Sequence, residues 1–106
     1  MTDRIGSLLG ICRKGGQVSS GEFAAEEAVK KRKAKLLILS EDASLNTKKK
    51  FRNMCTFYKV PVMIYGSKEN LGRWIGCLER AVVTVNNEQL AEKIRLIFRQ
   101  KTDTDT

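Results

Sequence analysis

The chain has 106 residues, 42% of them apolar, and carries 20 Lys and Arg against 12 Asp and Glu with no histidine. That length fits one compact domain with a single core, and that apolar share excludes a disordered polymer. The net charge of +8 points to a polyanionic partner, while the missing histidine excludes Ser–His and Cys–His nucleophiles and zinc sites of the Cys/His type.

Ile5, Leu8, Leu9 and Cys12 follow the i, i+3, i+4, i+7 spacing of an amphipathic helix. Gly15-Gly16 ends it, since glycine takes the left-handed cap conformation cheaply. Gln17-Val18-Ser19 reads as a short strand. Ser20-Gly21 opens a second helix, with Phe23, Ala24, Ala25, Ala28 and Val29 as its apolar residues. Glu26 with Lys30 and Glu27 with Lys31 are i, i+4 pairs in the favourable order. Leu36-Leu37-Ile38-Leu39 is the continuous apolar run of a strand covered on both faces. The polar loop Ser40-Glu41-Asp42-Ala43-Ser44 leads to a third helix from Asn46 to Tyr58. Phe51, Met54, Cys55 and Tyr58 form its buried stripe, with Lys48, Lys49, Lys50 and Arg52 mostly off it. Lys59-Val60-Pro61 stops that helix, because the residue before proline disfavours it.

Val62-Met63-Ile64-Tyr65 reads as a further strand. Ser67 is an N-cap, with Asn70 where a capping box places Glu or Gln, and a helix continues through Leu71 toward Ile75. Trp74, between Leu71 and Ile75, is read as core rather than as a base-stacking platform. Ala81-Val82-Val83-Thr84-Val85 is the last strand, and Leu90, Ala91, Ile94, Ile97 and Phe98 mark a final helix. A helix followed by repeated strand–helix units predicts an α/β protein. The expected architecture is a three-layer α/β/α sandwich with a mixed sheet of about four strands. One domain spans residues 1–101, and residues 102–106 form a disordered polar tail.

Cys12, Cys55 and Cys77 are far apart and make no C-x-x-C pair, so reduced, buried thiols and no metal site are expected. No apolar run approaches a membrane span, and the start lacks a signal peptide's long apolar stretch. A cytoplasmic monomer with no membrane partner is expected. Neither a G-x-x-x-x-G-K-[ST] phosphate loop nor a G-x-G-x-x-G fingerprint occurs. No catalytic residue, no cofactor and no enzymatic activity are therefore expected. Glu41-Asp42 stands just past a strand, where α/β proteins place active residues. Adjacency alone is weak evidence, and solvation with helix N-terminal charge is the favoured account of two carboxylates there.

The positive charge is concentrated: residues 1–59 hold 13 Lys/Arg against 6 Asp/Glu, and residues 60–106 hold 7 against 6. Lys30-Lys31-Arg32-Lys33-Ala34-Lys35 closes the second helix, and Lys48-Lys49-Lys50-x-Arg52 lies on the third. Either run alone is compatible with a solvated face; the two together predict phosphate contacts. Three loops complete the candidate surface: Ser19-Ser20-Gly21-Glu22, Glu41-Asp42-Ala43-Ser44, and Gly72 through Arg80. The first two follow strands and precede helices, so they lie at one end of the sheet with helix N–H groups pointing outward.

These stretches resemble the kink-turn-binding ribosomal proteins of the L-seven-Ae and L-thirty-e superfamily, in its short bacterial YlxQ-type branch. The resemblance runs from about Ile5 to Phe98. It rests on Leu8-Leu9-Gly10, Val18-Ser19-Ser20-Gly21-Glu22, Ala34-Lys35 through Ala43-Ser44, Asn46-Thr47, Tyr58-Lys59-Val60-Pro61 and Leu71-Gly72-Arg73-x-Ile75-Gly76. It implies the sandwich fold and non-catalytic binding of structured RNA, a kink-turn or ribosomal RNA, with association with the ribosome. Its RNA-reading helix often begins Gly-Thr-Asn-Glu-x-x-Lys. Anchored on Gly21, this chain has Phe23, Ala24 and Glu27 at the Asn, Glu and Lys positions, and these cannot make the family's side-chain contacts. The RNA-binding set expected is Ser20, Gly21, Glu22 and Phe23 at the helix start, Glu41 and Asp42 in the second loop, Lys30, Lys31, Lys33, Lys48 and Arg52 for phosphates, and Gly76, Cys77 and Leu78 over an exposed nucleotide. The alternative is a protein-interaction module on the same fold that has lost the kink-turn site.

Overall fold

A computed structural model describes residues 3–104. In chain order the elements are α1 (Arg4–Lys14), β1 (Val18–Ser20), α2 (Glu22–Lys30), β2 (Leu36–Leu39), α3 (Leu45–Tyr58), β3 (Val62–Ile64), α4 (Lys68–Trp74), β4 (Val82–Val85) and α5 (Glu88–Thr104). Helix boundaries follow local chemistry. Asp3 caps α1 by accepting the Gly6 N–H at 2.9 Å, and Gly16, at φ 71°, turns the chain out of the helix. The third helix starts at Leu45, one residue before the predicted Asn46, because Ser44 Oγ accepts the Thr47 N–H at 3.1 Å. At α4 the reciprocal box forms with Asn70 standing in for Glu: each of Ser67 and Asn70 accepts the other's backbone N–H at 3.0 Å. The tail expected over residues 102–106 begins inside α5, and Asp105 and Thr106 lie outside the described residues.

The sheet has four strands in the order β1-β4-β2-β3. Strand β4 is antiparallel to both β1 and β2, and β2 is parallel to β3. Successive strand side chains point to opposite faces, which divides β2 between two layers. Leu36 and Ile38 pack with Ile5, Leu9, Leu71 and Ile94 under α1, α4 and α5. Leu37 and Leu39 pack with Ala25, Val29, Phe51 and Cys55 under α2 and α3. The core is thus two clusters separated by the sheet, not the single one expected from chain length. All four β2 side chains are fully buried, each stabilising the fold by about 1.5–3 kcal/mol. Trp74 stacks on Tyr65 with ring centroids 5.9 Å apart. It also covers Gly6, where an added Cβ would lie 2.5 Å from its indole nitrogen; it is part of the packing.

Because β1, β2 and β3 run one way and β4 the other, three strand ends and the start of β4 converge at one end of the sheet. The opposite end gathers the last turns of α2 and α3 and the first turn of α5. These two ends carry the surface chemistry.

Candidate nucleic-acid interface

At the first end, β1 runs out at Ser20 and the chain turns through Gly21, whose φ of 88° and ψ of 163° belong to glycine. The Gly21 N–H donates to Val82 O at 2.9 Å, so the turn is pinned to β4. A Cβ on Gly21 would meet nothing within 4 Å: the backbone faces open space. Among the described residues no side chain caps α2, which leaves its first-turn N–H groups directed outward without a side-chain acceptor.

Three more loops are laced to this turn. Arg80 Nε donates to Ser20 Oγ at 3.4 Å, and Arg80 Nη1 donates to the carbonyls of Leu78 and Glu79. Thr47 Oγ1 donates to Glu22 at 3.4 Å. The Lys48 ammonium donates to Glu41 O at 2.8 Å. Asp42 Oδ1 accepts the Lys68 N–H at 2.9 Å, which holds the Asp42 carboxyl below its ordinary range. Asp42 therefore ties the start of α4, and Glu41 contributes its backbone. The loop after α4 is held by close approach: a Cβ on Gly72 would lie 2.1 Å from Leu78 O. Gly76, at φ 73°, turns that loop outward.

Three large apolar side chains stand out from this end. Phe23 is 80% exposed, Leu45 82% and Leu78 85%. Phe23 therefore does not belong to the apolar face of α2. The buried residues there are Ala25, Ala28 and Val29, and Phe23, two positions before Ala25, points away from them. Cys77 is half-buried against the core. Beside Leu45, a groove of about 510 Å³ is lined by Lys48, Lys49, Arg52, Asn53 and Ile64. Among the described residues neither Lys49 nor Arg52 enters an ion pair, whereas Lys50 pairs with Glu26 at 2.9 Å.

The structure thus brings together Ser20, Gly21, Glu22, Phe23, Glu41, Asp42, Lys48, Gly76, Cys77 and Leu78, with Arg52 one turn further along α3. It does not bring Lys30, Lys31 and Lys33 to the same place. They sit at the far end of α2, about 12 Å along its axis at 1.5 Å per residue. Lys30 and Lys31 are moreover paired with Glu26 and Glu27, at 2.8 and 3.6 Å. Sequence reasoning missed Leu45, and it gave Arg80 and Thr47, which it had within a candidate loop and a family stretch, no role of their own. The signal for Leu45 was present: an apolar residue off the Phe51–Cys55 stripe, directly after a polar loop.

Residues 3–95 match the model of the Ribosomal protein L7Ae/L30e/S12e/Gadd45 family. The chain belongs to that family. It is 41% identical over 87 residues to the RNA-binding protein YlxQ of Bacillus subtilis (strain 168), covering 82% of this chain and 87% of that one. With the RNA-binding protein YlxQ of Enterococcus faecium it shares 30% over 81 residues, 76% of this chain and 79% of the other. A solved protein of unknown function from Bacillus halodurans C superposes with a TM-score of 0.86 at 36% identity, over 90% of this chain and 96% of that one. The Giardia lamblia 15.5kD RNA binding protein superposes with a TM-score of 0.77 at 19% identity, over 98% of this chain and 92% of its own, a likeness of fold. Among the described residues no group of three or more His, Cys, Asp or Glu side chains could hold a metal ion. No described helix is long and apolar enough to cross a membrane.

Proposed function

We propose that this chain is a non-catalytic, cytoplasmic, ribosome-associated protein that binds structured RNA, a kink-turn or a related ribosomal motif, at the four-loop end of its sheet. The observation that carries this reading is the ring of Phe23, Leu45 and Leu78 around the uncapped Gly21 turn, with unpaired cations alongside. Family membership and the names of the relatives support the RNA class. In this reading the first-turn N–H groups of α2 meet a phosphate or a base edge. The apolar ring covers an unstacked nucleotide, as single-stranded and bulged bases require. Lys48, Lys49 and Arg52 follow the backbone. Phe23 and Ala24 supply no base-reading hydrogen bonds, so shape and apolar cover dominate recognition.

The experiment is affinity for a kink-turn RNA against a duplex of equal length. The chain binds the kink-turn more tightly, and the triple variant Phe23→Asn, Ala24→Glu, Glu27→Lys widens the difference. The variant should stay folded, since Phe23 is outside the core, Ala24 is only half-buried and the exposed Glu27–Lys31 pair is worth under about 1 kcal/mol; its circular dichroism must match the parent's before affinities are compared. No gain on the kink-turn means that α2 is not the reading helix. The same apolar ring favours a second reading, docking of a protein partner. Absence of RNA binding even at low salt selects it.

A further inference from the structure

We infer that the opposite end of the sheet carries a second ligand site, a pocket that takes a nucleotide by its phosphate. The inference stands apart from the RNA reading above, since it uses none of the same residues. The cavity there has a volume of about 490 Å³, within the range of roughly 300–1,000 Å³ usual for small-molecule sites. Val29, Ala34 and Ala91 close it from beneath, and the half-buried Val60 and Pro61 give its wall an apolar stretch. Its rim holds four cations, Arg32 and Lys35 from the link after α2, Lys59 from the end of α3, and Arg95 from α5. Among the described residues none of the four is in an ion pair, in contrast to Lys30 and Lys31 just before them. The Arg32 guanidinium lies 5.5 Å from the centroid of the Tyr58 ring, which holds it at the pocket wall.

The backbone adds an independent indication. Arg32 and Lys59 have φ of 59° and 60° and are the non-glycine residues with positive φ among the described residues. Both line this pocket. Both stand just past a helix end, where glycine is the inexpensive choice. Helix dipoles favour positive charge there, which accounts for the sign of the side chains. It does not account for keeping long side chains in the left-handed region at both positions. The turns themselves are closed by the Lys33 N–H on Ala28 O and the Val60 N–H on Cys55 O; a ligand held by both side chains supplies a reason for cations rather than glycine there.

The chemistry of that ligand follows from the two sides of the rim. Arg32, Lys35 and Lys59 suit a phosphate. Glu88 and Glu92 lie across from them, on the same face of α5 as Arg95 by their i, i+4, i+7 spacing. Carboxylate oxygens accept hydrogen bonds, so these two suit a ligand that brings donors, as ribose hydroxyls or a base amine do. A base would lie against Val60 and Pro61 between the two sides. The phosphorylated unit is either a free nucleotide or part of an RNA strand.

Amide NMR titration of the intact chain tests this with four probes: adenosine monophosphate, adenosine, inorganic phosphate and a short single-stranded RNA with 5′-hydroxyl ends. Saturable shifts at Arg32 to Lys35, at Lys59-Val60 and at Glu88 to Glu92 are expected with adenosine monophosphate. Adenosine and phosphate should bind at least tenfold more weakly. If the hydroxyl-ended RNA shifts the same amides, the source is a strand; if it does not, the ligand is a free nucleotide. No saturable shift at this end, or equal affinity for inorganic phosphate, overturns the assignment. The variant Arg32→Gly with Lys59→Gly removes two cations while relaxing the backbone. It should lose at least tenfold in affinity and melt no lower than the parent. The exposed pair Lys35→Gln with Arg95→Gln is the second check. Unchanged affinity for adenosine monophosphate in either variant overturns the site.

Discussion

A single glycine and a single phenylalanine divide the work at the turn proposed to face RNA. Gly21 holds a backbone conformation that a β-branched residue avoids, so Gly21→Val should strain the turn by about 1–3 kcal/mol and remove RNA binding. Phe23→Ala should shift stability by no more than about 0.5 kcal/mol, as at an ordinary surface position, yet weaken RNA binding severalfold. Thermal melts with parallel binding isotherms separate the two effects; a large loss of stability in Phe23→Ala would return Phe23 to the core. Cys55 makes a different residue-scale prediction. Burial raises its thiol from 9.0 to about 11. The native state therefore keeps a proton that the unfolded chain gives up. This contribution to stability is complete below pH 9 and is lost as pH rises toward 11. Denaturant midpoints across that range should fall for the parent and fall less for Cys55→Ala. In native protein, Cys77 should label before Cys12 and Cys55, both of which are buried.

Individual elements show what a sequence pattern does and does not convey. The stripe of α3 was readable because burial at i, i+3 and i+4 leaves an apolar trace. Its basic run was not readable residue by residue, because spacing says nothing about which partner faces each lysine. Lys50 turns toward α2, where Glu26 accepts from Lys30 at 2.8 Å and from Lys50 at 2.9 Å. Those two hydrogen bonds hold the Glu26 carboxyl down to about 2. Lys48, Lys49 and Arg52 turn toward the groove beside β3. Replacing these three by Gln should flatten the dependence of log affinity on log salt, by roughly 0.7–0.9 for each phosphate contact removed. Lys50→Gln should change that slope little. Equal effects of Lys50 and Lys49 would show that the groove is not the phosphate track. The distance of the second-helix lysines from the Gly21 turn was hidden for a related reason: charge density was visible in the sequence, but the length of α2, which carries Lys30 to the other end of the sheet, had to be added to it.

Across the whole molecule, the layers were legible because alternation of strands and helices admits few arrangements. The strand order was not, since nothing in Val82-Val83-Thr84-Val85 announces that this late segment inserts between β1 and β2. That insertion decides when the protein becomes competent. Among the described residues strand β1 pairs only with β4, and the turns at Gly21 and Ser40 are each pinned by an N–H donated to Val82 or Ala81. A chain emerging during synthesis can pair β2 with β3 once both are out, but its first strand has no neighbour and its Gly21 turn no anchor until residue 82 arrives. A chain truncated before Ala81 should therefore leave RNA unbound even where helix content is retained, and adding back residues through the start of α5 should restore binding. The order of translation thus imposes a delay: the Gly21 turn has no anchor to hold it in shape for any ligand until most of the chain has been produced.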